Sequence, residues 1–145
     1  MKFWPCFIAI LLSFLPFSLL AQPSSDSVIV KEVISVPKPD TLIVTVSEWP
    51  ALFGKEIPVI LDEIDLPKLN GPCNEERRLA EQAWDYVKEK VANAHSITLQ
   101  HMQRDKYFKI RAQVYVDDTS LNAALLSAGL AVPHRGRAPN WCHLM

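Results

Sequence analysis

Three β-branched segments joined by short connections, then one long amphipathic stretch, then two more strand-like segments: this order most constrains what the chain can become. Residues 28–36, 41–47 and 56–61 are rich in Val, Ile and Thr and read as strands. Pro37 and Pro39 break the first, because proline supplies no ladder N–H, and Pro50 and Gly54 mark a hairpin loop between the second and third. Short connections favour an antiparallel meander over a βαβ unit. Over residues 74–94 the period changes. Leu79, Ala80, Ala83, Trp84, Val87 and Val91 recur at three- and four-residue steps, with Glu75 and Glu76 at the start and Lys88 and Lys90 near the end. That is an amphipathic helix lying on the sheet, with Trp84 on its core face. Residues 96–100 and 109–116 follow as strands, the second alternating Ile110, Ala112, Val114 and Val116 on one face. A short helix over 120–128 ends at Gly129, a good C-terminal cap.

Five strands in so short a chain are most economically closed on themselves, since closure removes exposed edges. A small barrel of the oligonucleotide-binding type (OB-fold) with one long and one short helix fits the pattern. The 145 residues suffice for one domain, here residues 28–133. Residues 3–20 form a dense apolar run preceded by Lys2 and followed by Ala21, which reads as a signal peptide over residues 1–21, cleaved after Ala21. Pro5 and Pro16 interrupt the run, and Gln22 to Asp26 follow it without a basic stop, so a retained span is disfavoured. Cys6 lies too far upstream of the cleavage point for lipidation. The expected product is secreted or periplasmic, without a membrane anchor. It starts with a polar lead over 22–27 and ends in an aperiodic tail over 134–145. Cleavage takes away one of the 15 basic residues, Lys2, and none of the 16 acidic ones, so the formal charge moves from −1 to −2. That balance argues against tight non-specific binding to nucleic acid. Cys73 and Cys142 remain as an even pair in an oxidising compartment and are expected to form a disulfide, the alternative being two buried or reduced thiols.

Three landmark segments stand in order along the chain: Pro39-Asp40-Thr41, then residues 59–68 (Val-Ile-Leu-Asp-Glu-Ile-Asp-Leu-Pro-Lys), then Asp105-Lys106-Tyr107-Phe108-Lys109-Ile110. With the Cys73, Glu76, Ala80 and Ala83 spacing, the 120–131 segment and the closing Trp141-Cys142, they resemble the staphylococcal nuclease (thermonuclease-like) family over about residues 28–142. The resemblance implies a five-stranded OB-fold of the nuclease type and calcium-assisted phosphodiester hydrolysis.

Such hydrolysis needs a hard cation held by carboxylates, a base for the attacking water and cationic donors on the phosphate. By the resemblance, the metal-binding Asp of the Asp-Gly-Asp-Thr pattern falls on Asp40. The pattern Val-Arg-Leu-x-Gly-Ile-Asp-x-Pro-Glu places a phosphate-binding Arg at Ile60, a second metal-binding Asp at Asp65 and the catalytic Glu at Lys68. The second phosphate-binding Arg falls on Lys109. Both aspartates are present, while the three catalytic positions are substituted. Ile60 donates nothing, Lys109 keeps a charge without the planar fork of Arg, and an ammonium at Lys68 cannot accept the water proton. Calcium, if bound by Asp40 and Asp65, would be held weakly.

Asp62 and Glu63 flank Asp65 as replacement bases, or else form a solvated acidic turn together with it. Glu63 also stands where the family turn has Gly. Four histidines, His95, His101, His134 and His143, show no zinc-like spacing and read as surface or loop residues. In the tail, Arg135, Arg137 and Trp141 are candidates for stacking on and pairing with a nucleic-acid strand, against a simpler reading in which Trp141 packs a basic tail. The expectation is a thermonuclease-like domain of impaired catalysis that binds nucleic acid or an envelope or secreted protein. A working calcium-dependent nuclease with an altered site is the alternative.

Overall fold

In the computed structural model of the chain, which describes residues 26–143, the β-branched segments form strands and the amphipathic stretch a helix. The expected leader, residues 1–21, lies outside the described residues. In chain order the elements are β1 (Val28–Lys38), β2 (Thr41–Val46), α1 (Ala51–Gly54), β3 (Ile57–Leu61), β4 (Ile64–Asp65), α2 (Asn74–Ala92), β5 (Ile97–Arg104), β6 (Ile110–Val116), β7 (Thr119–Ser120), α3 (Leu121–Ser127) and β8 (Val132–Pro133), with a final 3-10 turn, Trp141–His143. Five strands run in the order β3-β2-β1-β5-β6, and β3 closes on β6 through a parallel ladder that sets Val59, Ile60 and Leu61 beside Ile110, Arg111 and Ala112. The result is a closed mixed barrel of five strands with three helices, as the resemblance implied.

Alternation explains the interior. Leu42, Val44, Val59, Leu61, Leu99, Ala112 and Val114 point inward and are fully buried. Ala83 and Val87 of α2 and Leu121 and Leu125 of α3 add to the same core. Truncating a buried leucine such as Leu42 or Leu99 to alanine costs about 2–5 kcal/mol in such cores.

Several boundaries differ from the sequence expectation. β1 continues through Pro37, which sits in an irregular stretch of the β1–β2 ladder between Ser35 and Lys38, where no regular ladder donor is required. One helical turn, α1, replaces the simple loop after Pro50, whose carbonyl accepts from the Phe53 and Gly54 N–H groups. β5 runs past Gln100 by absorbing a bulge between Gln100 and Gln103, with His101 at φ 51°. Trp84 is only half-buried, and its indole N–H donates to the Val36 carbonyl at 2.7 Å, so it ties α2 to β1 at the rim of the core. The aperiodic tail is anchored: it leaves β8, which pairs with β4, the His134 N–H donates to the Glu63 carbonyl, and Trp141 is 5% exposed. Among the described residues no helix is long and apolar enough to cross a membrane.

Candidate active-site cleft

Past the C-terminal end of β3 the chain makes three turns whose side chains converge on a cleft of about 750 Å³. Its lining includes Lys38, Asp40, Ile60, Asp65, Lys68, Arg111 and His134. The β1–β2 turn brings in Asp40, and the Asp40 carbonyl accepts the Leu61 N–H at 2.9 Å, which fixes the turn against β3. Asp40 Oδ1 accepts from the Thr41 hydroxyl at 2.8 Å.

After Leu61 the chain turns at Glu63, which holds φ at 63°, a left-handed conformation usually left to glycine. That turn aims β4, and with it Asp65, into the cleft. The ladder with β8 continues through the His134 N–H to the Glu63 carbonyl at 2.9 Å. This brings the His134 ring over Asp65: Nδ1 lies 3.0 Å from each carboxylate oxygen.

Lys68 follows buried Pro67, and its backbone N–H donates to Glu76 Oε1 at 3.1 Å. Glu76, in the first turn of α2, is itself buried. A side chain at Gly71 would meet the Glu76 carboxylate carbon at 2.4 Å and would have to push the carboxylate out of this clamp. Cys73 caps α2, with Sγ accepting the Glu76 N–H at 3.4 Å, and it forms the expected disulfide with Cys142. Lys68, the helix start and the tail are thereby one connected unit.

Four expected site residues are placed elsewhere. Lys109 is outside the cleft, in the exposed β5–β6 turn, where its backbone N–H donates to Asp105 Oδ1 at 2.9 Å. Trp141 is buried, so its ring cannot stack on a base. Arg135 and Arg137 line a neighbouring cleft of about 530 Å³ that shares Asp65 with the first. Neither Asp62 nor Glu63 lines the first cleft. Asp62 is not a solvated turn residue: its carboxylate, 14% exposed, receives the Arg111 Nε–H at 2.8 Å. Glu63 Oε2 accepts from the Gln113 amide at 2.6 Å.

Arg111 and His134 reach the cleft through non-local pairing, β3 with β6 and β4 with β8. Arg111 carried one usable sequence signal, as the cation on the polar face of an otherwise alternating strand. His134 carried none.

The donor set can be weighed against a calcium ion. Calcium takes six to eight oxygen ligands, about 2.3–2.6 Å away, and favours several carboxylates. The cleft lining offers Asp40 and Asp65, each already accepting a hydrogen bond or holding a histidine, with Lys68 in the same space. Among the described residues, the cluster of three potential ligand side chains is Cys73, Glu76 and Cys142, and its sulfurs are joined to each other. The residues of the cleft fit a calcium ion poorly. What they do present is a group of cationic donors, Lys38, Lys68 and Arg111, around two acceptors.

A family model of the staphylococcal nuclease homologues matches residues 58–143, more than half of the chain. The match holds Ile60, Asp65, Lys68 and Lys109 and starts after Asp40. No curated protein gives a significant match. The barrel closure, the cleft past β3 and this match agree: the chain belongs to the family of staphylococcal nuclease homologues.

Proposed function

We propose that this chain is an exported thermonuclease-like domain that has lost most hydrolytic capacity and uses its cleft to bind the phosphodiester backbone of a nucleic acid. One observation carries the reading: Lys68 lines the same cleft as Asp40 and Asp65, at the position where the family pattern has its catalytic Glu. A cation there can pair with a phosphate oxygen but cannot take a proton from water at neutral pH. Lys38 and Arg111 add donors, Arg111 in part committed to Asp62. Loss of a general base alone typically costs about 10²- to 10⁴-fold in rate. The Cys73–Cys142 disulfide supports maturation in an oxidising compartment, in keeping with a leader cleaved after Ala21.

A second reading, an altered-site phosphodiesterase, is favoured by one contact. Asp65 orients His134, and in the tautomer with Nδ1 protonated the ring leaves Nε2 as an acceptor in the cleft. The test is degradation of DNA and RNA by the purified chain with calcium and, in parallel, with chelator, beside electrophoretic binding assays. Binding without cleavage supports the first reading. Cleavage that survives chelator and is lost in His134→Ala selects the second. Calcium-dependent cleavage lost in Asp40→Ala restores the family mechanism, and neither binding nor cleavage leaves a protein-interaction role.

A further inference from the structure

The first turn of α2 and the closing 3-10 turn bring two sulfurs and a carboxylate to one point. Cys73 Sγ, Cys142 Sγ and a Glu76 carboxylate oxygen all lie within 4.8 Å of one another. In the oxidised chain the sulfurs are bonded to each other. Opening that bond turns the same three side chains into two thiols beside an acid.

The chemistry of this set fits zinc rather than a hard cation. Zinc takes thiolate sulfur at about 2.3 Å and carboxylate oxygen at about 2.0–2.2 Å, whereas calcium takes oxygen alone. Two thiolates on one tetrahedral zinc stand about 3.8 Å apart, a spacing that side-chain rotation reaches while the Cα atoms stay 6.0 Å apart. The surroundings suit a cation as well. Glu76 is 6% exposed and enters no ion pair among the described residues; a charge so buried is stabilised by an adjacent cation. Cys73 Sγ accepts the Glu76 N–H at 3.4 Å, at the N-terminus of a 19-residue helix whose dipole favours negative charge on that sulfur. Glu76 Oε1 accepts the Lys68 N–H at 3.1 Å, which orients the carboxylate as outer hydrogen bonds orient metal ligands.

We propose that the reduced form of this chain holds one zinc ion on Cys73 Sγ, Cys142 Sγ and a Glu76 oxygen, with water in the fourth position. A dithiol reductant supplies that form: its two sulfurs are oxidised to a disulfide while Cys73 and Cys142 each gain a hydrogen, and zinc then displaces both as protons. The ion ties together the same two chain positions, 69 apart, and so replaces the covalent staple between α2 and the tail.

The experiment uses the protein from Gln22, which leaves Cys73 and Cys142 as its cysteines, reduced with a phosphine and kept free of oxygen. Titration against a chromogenic chelator should show one equivalent of zinc bound, with no comparable binding by the oxidised protein. Zinc should raise the thermal midpoint of the reduced protein and leave that of the oxidised one unmoved. Cobalt in its place should give thiolate-to-cobalt charge-transfer absorption. Glu76→Gln can still accept the Lys68 N–H, and its oxidised form reports whether it folds. It should lower the zinc affinity at least about tenfold, the loss that removing even an outer partner of a metal ligand brings. Cys142→Ser, which leaves the Cys73 cap in place, should lower it too. Equal binding by the oxidised protein puts the ion elsewhere and overturns the proposal. So does zinc held as tightly by the reduced chain in concentrated urea, a thermal midpoint of the reduced protein that zinc does not raise, or an affinity untouched by Glu76→Gln.

Discussion

Arg111 on β6 stands beside Ile60 on β3 in the parallel ladder, and its Nε–H reaches Asp62 at 2.8 Å. The resemblance places a guanidinium at residue 60; here the guanidinium enters the cleft from the neighbouring strand instead. Asp62 fixes its position, because a carboxylate that is 14% exposed needs a partner. Arg111→Ala should therefore destabilise the protein by about 1–3 kcal/mol, the cost of leaving a largely desolvated carboxylate unpaired. Arg111→Lys should recover only part of it, since an ammonium cannot reproduce the planar donor. Urea denaturation of the two variants and the natural chain checks the order.

Opening the Cys73–Cys142 bridge should cost more. The linked residues are 69 apart; closing a loop of that size stabilises by about 4 kcal/mol in the chain-entropy picture, with measured values often lower. A double change to serine isolates this effect, because a hydroxyl in place of the Cys73 thiol would still cap α2. Denaturant midpoints of the natural and double-serine proteins provide the comparison, and equal midpoints would contradict the prediction.

The strands, the long helix and the barrel closure were legible because period-2 and period-3.6 patterns are local and each segment must hide one face. Pro37 misled because a proline rule holds for regular ladders, and the β1–β2 ladder is irregular there. The cleft was legible where the resemblance reached it: Asp40, Ile60, Asp65 and Lys68 do line one space. Lys109 did not follow, since it lies in the turn before β6 and Arg111, two residues on, is the cation that enters. His134 was invisible because its position depends on β8 pairing with β4 across nearly half of the chain. Trp141 illustrates the limit of composition: an aromatic among arginines suggests stacking, yet the bridge at Cys142 fixes the tail and the ring is buried.

Glu63 offers a test of backbone conformation. At φ 63° a residue with Cβ is strained by roughly 1–2 kcal/mol. Glycine relieves the strain but costs about 0.5–1 kcal/mol of unfolded-state entropy, and the exposed bond to Gln113 is lost. Glu63→Gly should thus be neutral to slightly stabilising, whereas β-branched Glu63→Val should destabilise clearly. Thermal midpoints in the order Gly, Glu, Val would support the left-handed turn; a drop for Gly equal to that for Val would refute it.

Asp117 links stability to pH. The Ser96 N–H, at 2.8 Å, holds its carboxyl below the usual carboxylate range, with the His95 N–H and ring adding to the effect. A group whose folded value is depressed stabilises above its unfolded value and loses that contribution as pH falls through the folded one. The natural protein should therefore lose stability more steeply than Asp117→Asn below about pH 4. The amide oxygen can still accept both N–H groups without titrating. Parallel unfolding curves for the two proteins across that range would count against this account.

Lys68 opposes any calcium ion drawn to Asp40 and Asp65, and His134 occupies both oxygens of Asp65. Lys68→Glu changes the local charge by two and supplies the third carboxylate that a hard cation needs. Its side chain can change without disturbing the clamp, which uses the Lys68 backbone N–H. Calcium should then raise the thermal midpoint of Lys68→Glu and leave that of the natural chain nearly unmoved, because a ligand at about a hundred times its Kd stabilises the folded state by about 2.7 kcal/mol. Adding His134→Ala should free Asp65 and enlarge the calcium effect, and Asp65→Ala should abolish it. Cleavage is a separate matter, since Ile60 still donates nothing; the double change Ile60→Arg and Lys68→Glu should raise calcium-dependent activity, while Lys109→Arg, outside the cleft, should not. A natural chain already stabilised by calcium to the same extent as Lys68→Glu, with the effect lost in Asp40→Ala, would show that the two aspartates bind the ion in spite of Lys68 and that the impaired-site reading is wrong.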